Sequence, residues 1–284
     1  MPSISRASLG GLTISRVIGG EALARAWTEI ARASPLVRLV GEAWGEPPDP
    51  SLRWAVDSQG RALHGAPVGD NRVHTSLKFE GMQLSLLRAG GRTVADLVLR
   101  GRAPSAARAW LIEQATAALG AQPRPALEPL TVGDAPFEAP SDGLNHLADL
   151  FEATAALLER LLALPGVSGS IAFDADRLEP RATLEMGGVG LSVCLAQPGR
   201  LGQLDGPIGS TCGWVVEPEG GSYPGPGSLP ALSRGAWLQT EDGTPTAMLT
   251  LDEAMADGTP EARGQTLAGF VSGSVNALLA VTGR

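Results

Sequence analysis

The clearest pattern along the chain lies between residues 178 and 197. Leu178, Ala182, Leu184 and Met186 are apolar at even spacing, Gly187-Gly188 interrupts them, and Val189, Leu191, Val193 and Leu195 resume the alternation. A period of two places one set of side chains on one face of a sheet. Two glycines between two such runs suit a tight hairpin, because both central residues can take positive φ. The stretch predicts an antiparallel hairpin with one apolar face, and it carries no catalytic motif.

Similar signals organise the rest of the chain. Leu23, Trp27 and Ile30 predict a helix over residues 21–33 that Pro35 ends, followed by a strand over 36–44 and a break at Pro47, Pro48 and Pro50. Strands are expected over 52–56 and 61–63 around Ser58-Gln59-Gly60. Val73, Thr75, Leu77 and Phe79 then alternate, Leu84 and Leu86 follow a turn at Gly81, and residues 94–99 follow one at Gly90-Gly91. Pro104 suits the first position of a helix that Gly120 caps. Residues 121–142 carry five prolines with little periodicity and read as an extended linker.

The order then repeats. Leu147, Leu150, Phe151, Leu157, Leu158 and Leu161 make a broad stripe on a helix over 144–164, which Pro165-Gly166 stops. Strands follow over 167–173, 178–186, 189–196 and 212–217, with a glycine-rich stretch at 198–211 and a loop at 219–234. A hairpin of 236–240 with 246–251 turns around Glu241-Asp242-Gly243, and Thr259-Pro260 opens a last helix. This predicts an α+β protein of two pseudo-repeated helix–antiparallel β-meander–helix units, residues 21–120 and 143–284. The linker 121–142 joins them, and residues 1–20 precede them as a tail, an edge strand or a recognition segment for export. A helix on one face of such a sheet leaves the other face open to a partner.

Composition narrows the function more than the fold. Aromatic residues are only 4%, so the core must come from Leu, Val and Ala. A net charge of −8 with no basic run argues against nucleic acid as a partner. Lys78 is the only lysine, a bias that with the many alanines suggests a GC-rich bacterial genome. No apolar run reaches the roughly 18 residues needed to span a bilayer, and residues 1–20 lack the apolar core of a secretory signal. No membrane partner is expected, and the expected location is the cytoplasm.

Three pieces of the second half carry a resemblance. They are the amphipathic helix ending at Leu164-Pro165-Gly166, the run Ile171-Ala172-Phe173-Asp174 leading into the hairpin from Leu184 to Leu195, and Gly235-Ala236-Trp237-Leu238 with the strand and helix that follow. Together they resemble the class I chaperones of bacterial type III secretion, the Tir-chaperone-like fold, across residues 144–281. The resemblance implies a non-enzymatic protein that holds an extended client segment against its sheets. Family members pair as dimers, so it also implies either a homodimer or two fused units standing in for one.

Candidate chemistry is sparse. His64, His74 and His146 form no short-spaced set of metal ligands. His74 with Glu80 is a candidate acid/base pair across a turn. Cys194 and Cys212 read as small buried hydrophobes, and Cys212, beside Ser210 and Thr211, lacks a visible base. Asp174, Asp176 and Glu179 lack the glycine and distal glutamate of a calcium loop. The glycines at 187, 188 and 190 precede a strand, which is the wrong context for a dinucleotide fingerprint. No cofactor or metal is expected.

The expected role is therefore protein binding, chaperone-like or as a scaffold, on sheet edges or apolar sheet faces. Leu184, Met186, Val189, Leu191, Val193, Trp214 and Trp237 are the expected contact residues. The alternative is a small-ligand binder or enzyme with a pocket between the units, using His74, Glu80 or Cys212.

Overall fold

The computed structural model describes residues 3–17, 20–57, 60–124, 132–138, 140–174, 177–197, 212–220, 223–240 and 243–282. The chain is α+β, and every strand pairing with a described register is antiparallel. It divides into two compact units. One holds residues 22–148 and 173–178; the other holds 1–21, 149–172 and 179–284.

In the unit of residues 22–148, helix α1 (Glu21–Trp44) precedes a meander of β1 (Leu52–Asp57), β2 (Gly60–Gly65), β3 (His74–Lys78), β4 (Gln83–Arg88) and β5 (Arg92–Val98), closed by α2 (Pro104–Leu119). The strands lie side by side in chain order. Helix α1 corrects the strand expected over 36–44: the helix runs straight through Pro35. Proline cannot donate to the carbonyl four residues back. Here the hydroxyl of Ser34 donates to that carbonyl, Ala31 O, at 3.0 Å. Leu36, Val37, Leu39, Val40 and Ala43 are buried beyond the proline, so burial offsets the lost backbone bond. Helix α2 follows the sequence closely, with Pro104 in its first turn and Gly120 in the left-handed region, its N–H returning to Thr116 O.

The stretch expected as a linker is anchored over its described part. Phe137 is 2% exposed, its N–H donates to Arg102 O, and its carbonyl accepts from Gly101 N. The Arg32 guanidinium lies 5.1 Å from the centre of the Phe137 ring, and Glu29 accepts from the Glu138 N–H at 2.7 Å. Ser105 donates both its N–H and its hydroxyl to Asp134, which caps α2 from a distance and lowers the Asp134 pKa. Residues 125–131, with Pro125 and Pro129, lie outside the described set.

The second unit takes most of α3 (Ser141–Leu162), then β6 (Val167–Asp174), β7 (Glu179–Met186), β8 (Val189–Ala196), β9 (Gly213–Glu219), β10 (Ala236–Gln239), β11 (Pro245–Thr250), the short α4 (Leu251–Met255) and α5 (Pro260–Thr282). Its strands lie in the order β6-β7-β8-β9-β11-β10, so the late hairpin enters with β11 inside and β10 at the rim. The predicted β7–β8 hairpin is present. Met186 pairs with Val189, and Gly187 and Gly188 have φ of 61° and 79°.

Helix α5 is apolar on nearly every side. Among the described helices it alone is long and apolar enough to cross a membrane by length and composition. Its composition has a local cause, because α5 is covered on two sides. One side packs against β8, β9 and β11. The other carries the N-terminal residues, where Ile4, Leu9, Leu12, Ile14 and Val17 are buried. Residues 3–17 are therefore neither a free tail nor an edge strand; apart from one 3-10 turn at Arg6–Leu9 they form an irregular strap.

Candidate functional site

Alternation assigned Leu184, Met186, Val189, Leu191, Val193 and Trp214 to one face of the second sheet. They do share a face, and all are buried: Leu191, Val193 and Trp214 have no exposed surface, and Val189, the most open, has 8%. Helices α3 and α5 lie over this face. The Trp214 indole N–H donates to Thr154 Oγ1 of α3 at 3.0 Å, and α5 covers β8, β9 and β11. Period two tells which side chains point together; it does not tell what covers them. Six of the seven expected contact residues are thus core. Trp237 on β10 is half-buried, and its indole N–H donates to Pro230 O at 2.8 Å.

The reverse face of that sheet is mixed. Cys194, Ala196, Val215 and Met248 form a small buried cluster with Leu238 at its margin, while Thr183, Ser192 and Glu217 follow one another across β7, β8 and β9. In the other unit a polar row crosses all five strands: Arg53, His64, Ser76, Ser85 and Asp96 are successive cross-strand partners. Its middle members are closed to solvent, with His64 1%, Ser76 2% and Ser85 6% exposed. His74 lies beside this row, its ring 5.6 Å from that of His64.

The expected catalytic side chains do not converge. His74 opens β3 and Glu80 lies beyond its far end, and at about 3.3 Å per residue a strand separates such positions by roughly 15 Å or more. Glu80 is half-exposed and pairs with Arg61 at 3.4 Å. Cys212 is 1% exposed, and burial pushes its thiol up to about 12, the reverse of what a nucleophile needs. Both cysteines are free thiols. Ser210, Thr211 and Asp176 lie outside the described residues. Asp174 accepts from the Arg177 N–H, and Glu179 is fully buried with Arg181 3.7 Å away. Among the described residues no three His, Cys, Asp or Glu side chains group as metal ligands.

What the structure leaves available is a strand. Ser168, Gly169, Ser170, Ile171 and Ala172 of β6 are all exposed, although successive residues point to opposite faces. On one side β6 lies against β7; on the other, the register shows a single pair, Phe173 with Leu52. No charge and no proline stand between Val167 and Ala172. Strand β5 is an instructive contrast. It also exposes valines, Val94 at 37% and Val98 at 54%, but Leu86 faces Ala95 and Leu87 faces Thr93, so Val94 is a bulge residue. With Arg92 and Asp96 exposed as well, β5 carries the devices that keep a sheet edge from pairing further. Strand β6 carries no such charge between Val167 and Ala172. Its sequence, VSGSIA, held that signal, although alternation alone gave it no prominence.

No protein-family model, curated protein or solved structure matches this chain.

Proposed function

We propose that this chain is a non-enzymatic protein-binding module, chaperone-like or scaffolding, that takes up an extended segment of a partner polypeptide by strand addition at β6. The observation carrying this reading is the exposed, uncharged run Ser168–Ala172. A strand edge offers N–H and C=O groups to any extended chain, so affinity comes from main-chain bonds and the exposed Ile171 adds a side-chain contact. Coverage of the apolar face by α3 and α5 moves the expected contact from the sheet's face to its edge. The likeness of residues 144–281 to class I type III secretion chaperones supports a secreted client as the partner and the cytoplasm as the place of binding.

The test is site-specific photo-cross-linking in the native host. A benzophenone amino acid at Ile171 should give one discrete polypeptide adduct, and the same group at Val98 on the guarded edge should give none. Ser170→Pro, which removes a main-chain donor from the strand, should reduce the Ile171 adduct at least tenfold. Equal adducts from both positions, or none from Ile171, would overturn the reading.

A further inference from the structure

Residues 3–17 are held on the second unit in an unusual way. Their main chain is gripped mostly by side chains. The Asn276 amide serves both polar groups of Ile4, accepting from its N–H and donating to its C=O, each at 2.8 Å. Arg263 donates to Ile14 O at 3.2 Å, and Pro260 O accepts from Ile14 N–H at 3.1 Å. Arg160 of α3 donates to Gly10 O at 2.7 Å and to Gly11 O at 3.1 Å. Along α5, Gly264, Ala268, Ser272 and Asn276 recur every four residues and so form one stripe. Leu12 lies against its first member and Ile4 against its last, about 18 Å apart at 1.5 Å per residue.

These are the features of a site for a polypeptide segment that pairs with no sheet. The polar partners read main chain, which every peptide carries, and the buried aliphatic side chains Leu12, Ile14 and Val17 supply spacing. We infer that the α5 stripe, with Asn276, Arg263 and Arg160, is a polypeptide-binding channel that residues 3–17 fill as a displaceable latch. The occupant it fits in trans is a segment that follows the same irregular path, with a short 3-10 turn and two glycines ahead of aliphatic residues spaced as at 12, 14 and 17. The tether raises the local concentration of the latch to the order of mM, so the closed channel excludes weak competitors. This surface is separate from the β6 edge, and the experiment leaves β6 untouched.

The probe is a fluorescein-labelled synthetic peptide of residues 1–17, followed by anisotropy against the full-length chain. The intact chain should bind it poorly. The double variant Leu12→Asp/Ile14→Asp, which opens the latch, should bind it saturably and at least tenfold more tightly. Adding Asn276→Leu should lose at least tenfold of that affinity, and a scrambled peptide of the same composition should not saturate. Equal affinity for the intact and opened chains, or equal binding of the scrambled peptide, would overturn the inference. So would loss of cooperative thermal unfolding in the opened chain, because residues 3–17 would then be core rather than latch.

Discussion

Trp214 and Thr154 form a closed pair: the indole N–H donates to the threonine hydroxyl at 3.0 Å, the hydroxyl donates on to Leu150 O at 2.7 Å, and neither side chain is exposed. The pair ties α3 to the face of the sheet that alternation marked as apolar. Thr154→Val keeps the shape but strands a buried indole N–H, and should cost about 1–3 kcal/mol by urea unfolding. In a Trp214→Phe background there is no donor to strand, so the same substitution should cost clearly less. Equal costs in the two backgrounds would show that the bond does not hold the helix to the sheet.

The β7–β8 turn allows a second, cleaner test. Gly188 has φ of 79°, and a methyl group added there would meet nothing within 4 Å. Any cost of Gly188→Ala is therefore backbone conformation alone, about 1–2 kcal/mol. Gly188→Asn should cost less, because asparagine tolerates the left-handed region. A neutral Gly188→Ala would mean that the hairpin turns differently.

Local signals of this kind were legible in the sequence, and nonlocal ones were not. Gly187-Gly188, Pro104 and Gly120 act on their own backbone, so their meaning travels with the residue type. Pro35 misled because its missing donor is replaced by the neighbouring Ser34 hydroxyl, a detail of side-chain rotamer. The contact residues on the apolar face misled for another reason. Alternation is the same whether a helix of the same chain or a partner covers the face, and only the fold reveals α3 and α5 there. The strap was least legible, since its apolar residues follow no period and its partners, Arg263 and Asn276, stand some 250 or more residues away.

Burial of Cys212 makes a pH prediction. Its thiol ionises near 9 when unfolded and near 12 when folded, because desolvation opposes the thiolate. Between these values the unfolded chain binds fewer protons than the folded one, so stability falls as pH rises. The contribution is fully present below about 9 and is lost as pH climbs through about 12. Urea unfolding at pH 8, 9 and 10 should show a decline that Cys212→Ala makes shallower. Iodoacetamide should leave the folded chain's Cys212 unmodified at pH 8.5 and modify it once urea unfolds the chain. Rapid labelling of the folded protein would show that the thiol is open.

Helix α5 contains a matched pair of glycines that separates strap packing from helix propensity. At Gly264 an added Cβ would lie 1.9 Å from Leu12 O, so strap or helix must move. At Gly269 the nearest atom is the Arg6 side chain at 3.5 Å, an ordinary contact. Replacing a mid-helix glycine by alanine gains up to about 1 kcal/mol where nothing obstructs it, so Gly269→Ala should be neutral or stabilising. Gly264→Ala should instead lose about 1.5–3 kcal/mol, the scale of uncovering one aliphatic side chain such as Leu12. Hydrogen exchange locates the damage: the Ile4 and Ile14 amides, bonded to Asn276 and Pro260, should exchange at least tenfold faster in Gly264→Ala and unchanged in Gly269→Ala. Unchanged exchange in both variants would mean that Leu12 does not seat on the stripe. Faster exchange in both would mean that the strap responds to helix stability rather than to the space at Gly264.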